Sequence, residues 1–297
     1  MIPGPNLVYE CPKCKRTVWR ESLISGNTLG STLFSDGKRI SPMLPEFPFI
    51  VKCKECNTFY WLDKKNRIGE FEDYEIRDYK KPKESNTCNT SLLDGIMNTS
   101  LLDNIMGEYD EHKYDHIKSK FENEWKKPKE AEFLSPNEYF EAIKSKICSN
   151  KDEELCLRLN LWWAFNDRTR DYKDIFLTEE NKDIYESNCI ALIEMLDKNE
   201  INGKITIAEL YRNLGKYIEC NKILNTIKDK KYAMFKKILK KECEKNNKNV
   251  VEISEKYYEK EKIVMFRDKE PQGEIKREKR LIRKFWDKLW RFVWRRG

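Results

Sequence analysis

"YECPKCKRTVW" (residues 9–19) and "IVKCKECNTFYWL" (residues 50–62) each contain a C-x-x-C pair. Cys11 and Cys14 form the first pair, and Cys53 and Cys56 form the second. A tight turn with this motif brings two thiolates to adjacent corners of a tetrahedral metal, so two turns supply all four ligands. The sequence therefore predicts one structural zinc ion with no open coordination position. A redox dithiol and metal-free thiols are the alternatives.

The cysteine content bears on the cellular compartment. The N-terminal stretch "MIPGPNLVYECPKC" has no basic region followed by an apolar run, so we expect an unexported, cytoplasmic protein. In a reducing compartment, C-x-x-C pairs are more often metal sites than disulfides. The other six of the ten cysteines have no pair spacing, and we interpret them as small core residues. Charged residues make up 37% of the chain, which favours a heavily solvated surface.

Residues 1–70 are predicted to form a small β-rich zinc ribbon, because β-branched and aromatic residues follow both cysteine turns. The 38 residues between the pairs exceed the roughly 15 to 20 of a compact four-cysteine site, so an extra hairpin or lobe is expected there. We call residues 25–48 the insert. Asp36 and Gly37 are its hairpin-turn signal. A small polar site built from Asn27, Asp36, Lys38 and Arg39 is the alternative to a role in turns alone.

Residues 71–130 are predicted to be a charged linker. Within it, "NTSLLDGIM" at 89–97 is followed directly by the copy "NTSLLDNIM" at 98–106. A nine-residue period does not match a helical solenoid, so we interpret it as a tolerated duplication, with a duplicated docking motif as the alternative. His112 and His116 have the i, i+4 spacing of a shared metal site, but solvated histidines are the simpler interpretation.

Residues 131–250 are predicted to be an all-α domain. Ser135 is the expected N-cap of its first helix, with Pro136 in the first turn and Glu138 completing a capping box. "DEELCLRLNLWWAFNDRTR" at 152–170 repeats apolar residues at helical spacing. Gly215 is the expected end of a later helix. The fold class is thus α+β multidomain, a ribbon followed by helices.

Two stretches carry resemblances to known proteins. Residues 205–227 resemble one tetratricopeptide-type helical hairpin, since "AELYRNLGKY" has the Leu-Gly-x-Tyr turn and Cys220 follows at a small-residue position. The whole layout resembles uncharacterised bacterial proteins that join a ribbon with "SGNT…SDGKR…PMLP" to a helical domain with "LWWAFND". The resemblance implies a zinc ribbon joined to a tetratricopeptide-like domain and brings no activity with it.

Residues 251–297 are the basic tail. Ten Lys or Arg residues lie between 274 and 297 against three acidic residues, which equals the whole formal net charge of +7. "EIKREKRLIRKFWDKLWRFVWRRG" predicts an amphipathic helix that lies in an anionic membrane interface, packs on the helical domain as a cap, or contacts nucleic-acid phosphates. The predicted membrane or phosphate contacts are Arg283, Lys284, Trp286, Lys288, Trp290, Arg291, Trp294 and Arg295.

The motifs favour a non-catalytic scaffold. Its ribbon and helical hairpins would present surfaces to a protein partner, and its tail would place it at the inner face of the membrane. The alternative is a nucleic-acid-binding protein that uses the ribbon and the Arg/Lys-rich tail. An enzyme is not expected, because two histidines offer little acid–base chemistry near neutral pH. The sequence also has neither a G-x-x-x-x-G-K-[ST] nor a G-x-G-x-x-G phosphate-binding motif.

Overall fold

The computed structural model describes residues 1–72 and 116–253. The chain divides into two compact units. Among the described residues, we call 26–65 and 132–253 the helical unit, and 2–25, 66–72 and 116–131 the sheet unit. Residues 26–48 of the insert thus belong with the helices.

In the described residues, the strands and a π-helix at Lys120–Glu124 precede the α-helices that begin at residue 136. The strands are β1 Ile2–Glu10, β2 Thr17–Ser25, β3 Thr32–Leu33, β4 Arg39–Ile40, β5 Ile50–Lys52, β6 Phe59–Trp61, β7 Arg67–Phe71 and β8 Lys129–Glu130. The α-helices from residue 136 onward are α1 Pro136–Lys144, α2 Lys151–Arg170, α3 Glu179–Met195, α4 Ile201–Asn213, α5 Tyr217–Thr226 and α6 Ala233–Glu244. The predicted succession of a β-rich region and a helical region is confirmed.

The sheet unit is a four-stranded sheet in the order β7–β1–β2–β8. Strand β1 pairs antiparallel with β2 and β7, and β8 runs parallel to β2. Val8, Phe71 and Trp125 form its buried core. A Cβ atom on Gly69 would lie 2.5 Å from a ring carbon of Trp125, so the ring needs glycine at that position. Within the predicted linker at 71–130, Trp125 packs into this core and β8 pairs with β2.

The helical unit has one hydrophobic core that collects side chains from the helices and from the β5–β6 hairpin. The predicted capping box is confirmed, since the Ser135 side chain accepts from the Glu138 N–H and the Glu138 carboxylate accepts from the Ser135 N–H. Gly215, with φ of +75°, follows the end of α4, as predicted. The tetratricopeptide-like character of α4 and α5 stays a prediction.

Several features predicted from the sequence lie outside the described residues. They are the tandem copies at 89–106, Cys88, His112 and the amphipathic tail at 274–297. Among the helices that the structure describes, none has the length and apolar character needed to cross a bilayer.

Candidate metal centre and the polar network of the insert

The first cysteine pair sits in a tight turn between β1 and β2. The Cys11 N–H donates to the Arg16 carbonyl at 2.8 Å, and the Lys15 N–H donates to the Cys11 carbonyl at 3.0 Å. Lys15, directly after the second cysteine, has φ of 64°, in the left-handed region that residues other than glycine rarely adopt. The backbone here is thus held in a conformation that its sequence does not favour.

The second pair sits in a turn of the same construction between β5 and β6. The Cys53 N–H donates to the Thr58 carbonyl at 2.9 Å, and the Asn57 N–H donates to the Cys53 carbonyl, also at 2.9 Å. Asn57 occupies the position equivalent to Lys15 and has φ of 57°. Two separate segments therefore adopt one backbone pattern, each around its own C-x-x-C motif.

The four sulfur atoms of Cys11, Cys14, Cys53 and Cys56 all lie within 4.8 Å of one another. A tetrahedral zinc ion with Zn–S bonds of about 2.3 Å separates its sulfurs by about 3.8 Å, which lies within this limit. Cys11 and Cys53 are buried, and Cys14 is exposed. The predicted clustering of these four residues is confirmed, and their donor atoms fit a soft, thiolate-bound metal.

The remaining described cysteines lie in the helical unit. Cys156, Cys189, Cys220 and Cys243 are buried, and Cys148 is half-buried. The interpretation of the unpaired cysteines as core residues is confirmed for the four buried ones.

Asp36 forms the predicted turn of the insert. One of its carboxylate oxygens accepts the Lys38 N–H at 3.1 Å, and Gly37 adopts φ of +79° between the antiparallel strands β3 and β4. This is the arrangement expected of an Asx-type turn closed by glycine. The turn prediction is therefore confirmed.

The second carboxylate oxygen of Asp36 is bound by α2. It accepts from Asn166 at 2.9 Å and from the Arg170 guanidinium, and the Trp163 indole N–H donates to the Asp36 carbonyl at 3.2 Å. The Asp36 side chain is fully buried, and that of Arg170 is 5% exposed. The stretches "SDGKR" and "LWWAFND" are thus direct contact partners.

Ser35 connects the insert to α4 in the same way. Its hydroxyl donates to Glu209 at 2.6 Å, and Glu209 pairs with Arg212 at 2.5 Å. Both members of the ion pair are completely buried. Burial lowers the pKa of Arg212, but the charge of Glu209 and the hydrogen bond with it, together with Cys243 and Cys220, raise the pKa above its ordinary value. Sequence reasoning missed this pair. Its only signal is the i, i+3 spacing of opposite charges within "AELYRN".

Lys38 joins two acidic residues beside this turn. Its ammonium group lies 2.7 Å from Asp167 and 3.4 Å from Glu46. The other Glu46 oxygen has no hydrogen-bond partner among the described residues. Burial raises the pKa of Glu46, although Lys38 and Arg170 oppose the shift, and Asp167 adds to it.

The Glu46→Gln variant is expected to change the pH dependence of stability. In the folded chain, the raised pKa favours the protonated form of Glu46. The stability that this preference contributes is therefore complete below the ordinary carboxyl pKa, and it is lost as the pH rises through the raised pKa of the folded state. Each unit of pKa difference corresponds to about 1.4 kcal/mol. We therefore expect the stability advantage of Glu46 over glutamine to be largest near pH 4.5 and to shrink towards pH 8.

Urea unfolding of both chains between these pH values measures the effect. Glu179→Gln, at a position whose side chain is 88% exposed, is the matched control for the substitution itself. A difference between natural chain and Glu46→Gln that stays constant, or grows with pH, would contradict the assignment.

Comparison with protein-family models, with curated proteins and with solved structures finds no match to this chain. The resemblances to bacterial ribbon proteins and to tetratricopeptide hairpins therefore stay predictions. Function is argued below from the residues themselves.

Proposed function

We propose that this chain is a non-catalytic, zinc-binding scaffold protein that acts at an anionic membrane surface. The observation that carries the zinc assignment is the repeated turn geometry around the two cysteine pairs, together with the clustering of their sulfurs. Four thiolates complete a tetrahedral site, so the ion would contribute to folding and would have no position for substrate.

The choice of zinc follows from the donor atoms. Thiolates are soft ligands, which disfavours calcium and magnesium and suits zinc or iron. Zinc has no redox chemistry and binds four cysteines in structural sites. Cys11, Cys14, Cys53 and Cys56 would hold it as thiolates.

The scaffold role is supported by the ion pairs that the buried charged residues of the helical unit form. Asp36 pairs with Arg170, and Glu209 pairs with Arg212, in each case between side chains that are at most 5% exposed. The first pair joins the insert to α2, and the second is hydrogen-bonded to Ser35 and to the Asn249 carbonyl, so both serve to hold segments of the fold together. The exposed surfaces of the helices are therefore the proposed docking sites for a protein partner.

The membrane role rests on the tail sequence. Its excess of basic residues and its Trp286, Trp290 and Trp294 are typical of helices that lie in an anionic interface. Each basic residue near such a surface contributes about 1 kcal/mol.

We expect deletion of residues 274–297 to abolish flotation with vesicles that contain phosphatidylserine. The full chain should float with these vesicles at low salt and should lose binding as salt screens the basic residues. Vesicles of phosphatidylcholine alone are the control, because they lack the negative surface charge. Equal flotation of the full and shortened chains would contradict the membrane role.

The same two proteins also test the nucleic-acid alternative. Filter binding of RNA and DNA at low and moderate salt detects phosphate contacts, whose affinity falls steeply with salt. Salt-sensitive nucleic-acid binding without flotation would favour that alternative over the membrane role.

A further inference from the structure

Two buried cysteines outside the metal cluster lie side by side in the helical unit. Cys220 on α5 and Cys243 on α6 have sulfur atoms 3.3 Å apart. Their exposed fractions are 0% and 4%. They are separated by 23 positions in the sequence, and no C-x-x-C spacing marks them. A disulfide requires sulfurs about 2.05 Å apart, so the two thiols are little more than 1 Å from bonding distance.

The surroundings favour a reactive thiolate at Cys243. Hydrogen bonding with Cys220 lowers the pKa of Cys243, and the Arg212 guanidinium lowers it further, against the effects of burial and of Glu209 and Glu242. The thiolate is the form of cysteine that reacts with oxidants and with disulfides. Of the two thiols, Cys243 is thus the expected nucleophile and Cys220 the resolving thiol.

We propose that Cys220 and Cys243 are a reversible redox pair that forms a disulfide between α5 and α6 when the protein meets a peroxide. This assigns a modification site separate from the metal cluster, and it stands independently of the scaffold role.

The reaction uses hydrogen peroxide as its two-electron oxidant. The Cys243 thiolate attacks one peroxide oxygen, an S–O bond forms, the O–O bond breaks, and hydroxide leaves and takes up a proton as water. The Cys220 sulfur then loses its proton and attacks the Cys243 sulfur, so that the S–S bond forms, the S–O bond breaks and a second water leaves. In total, two thiols and one hydrogen peroxide give one disulfide and two waters. A dithiol reductant reverses the change by thiol–disulfide exchange.

The disulfide would act on the segment that follows α6. There the Asn249 carbonyl accepts from Arg212 at 2.9 Å, and the Val251 carbonyl accepts from the Ser35 N–H at 2.9 Å. Residues 247–251 thus lie against the buried Glu209–Arg212 pair and the insert. A covalent link from Cys243 to α5 would hold the start of this segment in place. Oxidation is therefore expected to stabilise the helical unit.

The test treats the zinc-loaded full chain with hydrogen peroxide, blocks remaining thiols, and maps peptides by mass spectrometry. We expect a linked pair of peptides that contain Cys220 and Cys243, and its loss after a dithiol reductant. A loop of this size predicts a rise in Tm of roughly 5 to 10 °C for the oxidised chain. Zinc content is followed in parallel, so that oxidation of the metal cluster is recognised separately.

Cys220→Ala and Cys243→Ala are each expected to lose the linked peptides and the rise in Tm. Circular dichroism before oxidation shows whether these variants fold. Cys148→Ser, at a half-buried cysteine, is the matched control that should keep both effects. Absence of the linked peptides in a folded natural chain, or a linked chain with unchanged Tm, would overturn the proposal.

Discussion

Replacing Cys53 by serine is expected to reduce bound zinc from about one ion per chain to nearly none. A structural zinc site contributes on the order of 10 to 16 kcal/mol of binding free energy at neutral pH, and its affinity depends on thiolate ligands. Serine keeps its proton and offers a hard oxygen, so the site loses one of its four soft donors. Elemental mass spectrometry of the desalted protein measures the stoichiometry.

The same loss should lower the thermal stability of the chain. The turns around Cys11 and Cys53 place Lys15 and Asn57 in the left-handed region, at an intrinsic cost of roughly 1 to 2 kcal/mol for Lys15 and less for Asn57, since asparagine tolerates this region. Metal ligation would offset this cost. We therefore expect a chelator to lower the Tm of the natural chain.

Two variants separate ligand loss from misfolding. Cys14→Ser changes an exposed ligand and should lose zinc with less disturbance of the core, whereas Cys148→Ser should keep it. A natural chain that purifies without metal and has the same Tm with and without chelator would contradict the zinc assignment. Bound iron in place of zinc would correct the identity of the ion and leave the site intact.

Replacing Arg212 by leucine is expected to lower the free energy of unfolding by about 3 to 5 kcal/mol, because it leaves a buried carboxylate without its partner. Glu209 and Arg212 are both completely buried and lie 2.5 Å apart. The Arg212 guanidinium also donates to the carbonyls of Asn247 and Asn249. The substitution thus leaves the Glu209 carboxylate without its partner, and it leaves the carbonyls of Asn247 and Asn249 without their hydrogen-bond donor.

Two controls make this second prediction specific. Lys182→Ala removes an exposed partner of Glu179 and should change stability by less than about 1 kcal/mol. The double variant Glu209→Leu with Arg212→Leu removes both charges, and we expect it to recover part of the loss, which a double-mutant cycle quantifies. Urea unfolding is the measurement. A loss below about 1 kcal/mol for Arg212→Leu would show that the pair does not stabilise the fold.

The sequence by itself determined the local features of this protein. The cysteine turns, the Ser135 cap, the Asp36–Gly37 turn and the Gly215 helix end were all predictable. In each case the hydrogen bonds or backbone angles that define the feature involve residues only a few positions apart. Short-range chemistry of this kind is independent of how the chain packs elsewhere.

Only the tertiary structure decided which polar residues become buried partners. Asp36 meets Asn166 across 130 positions, and Cys220 meets Cys243 across 23. The apolar residues of α2 predict that this helix is buried, but they do not predict which loop covers it. Residues 116–130 show the same limit, because their charged composition gives no sign that the rings of Phe121 and Trp125 pack against Phe71 in the sheet unit. Long-range pairs depend on burial and on chain topology, and neither can be read from local sequence.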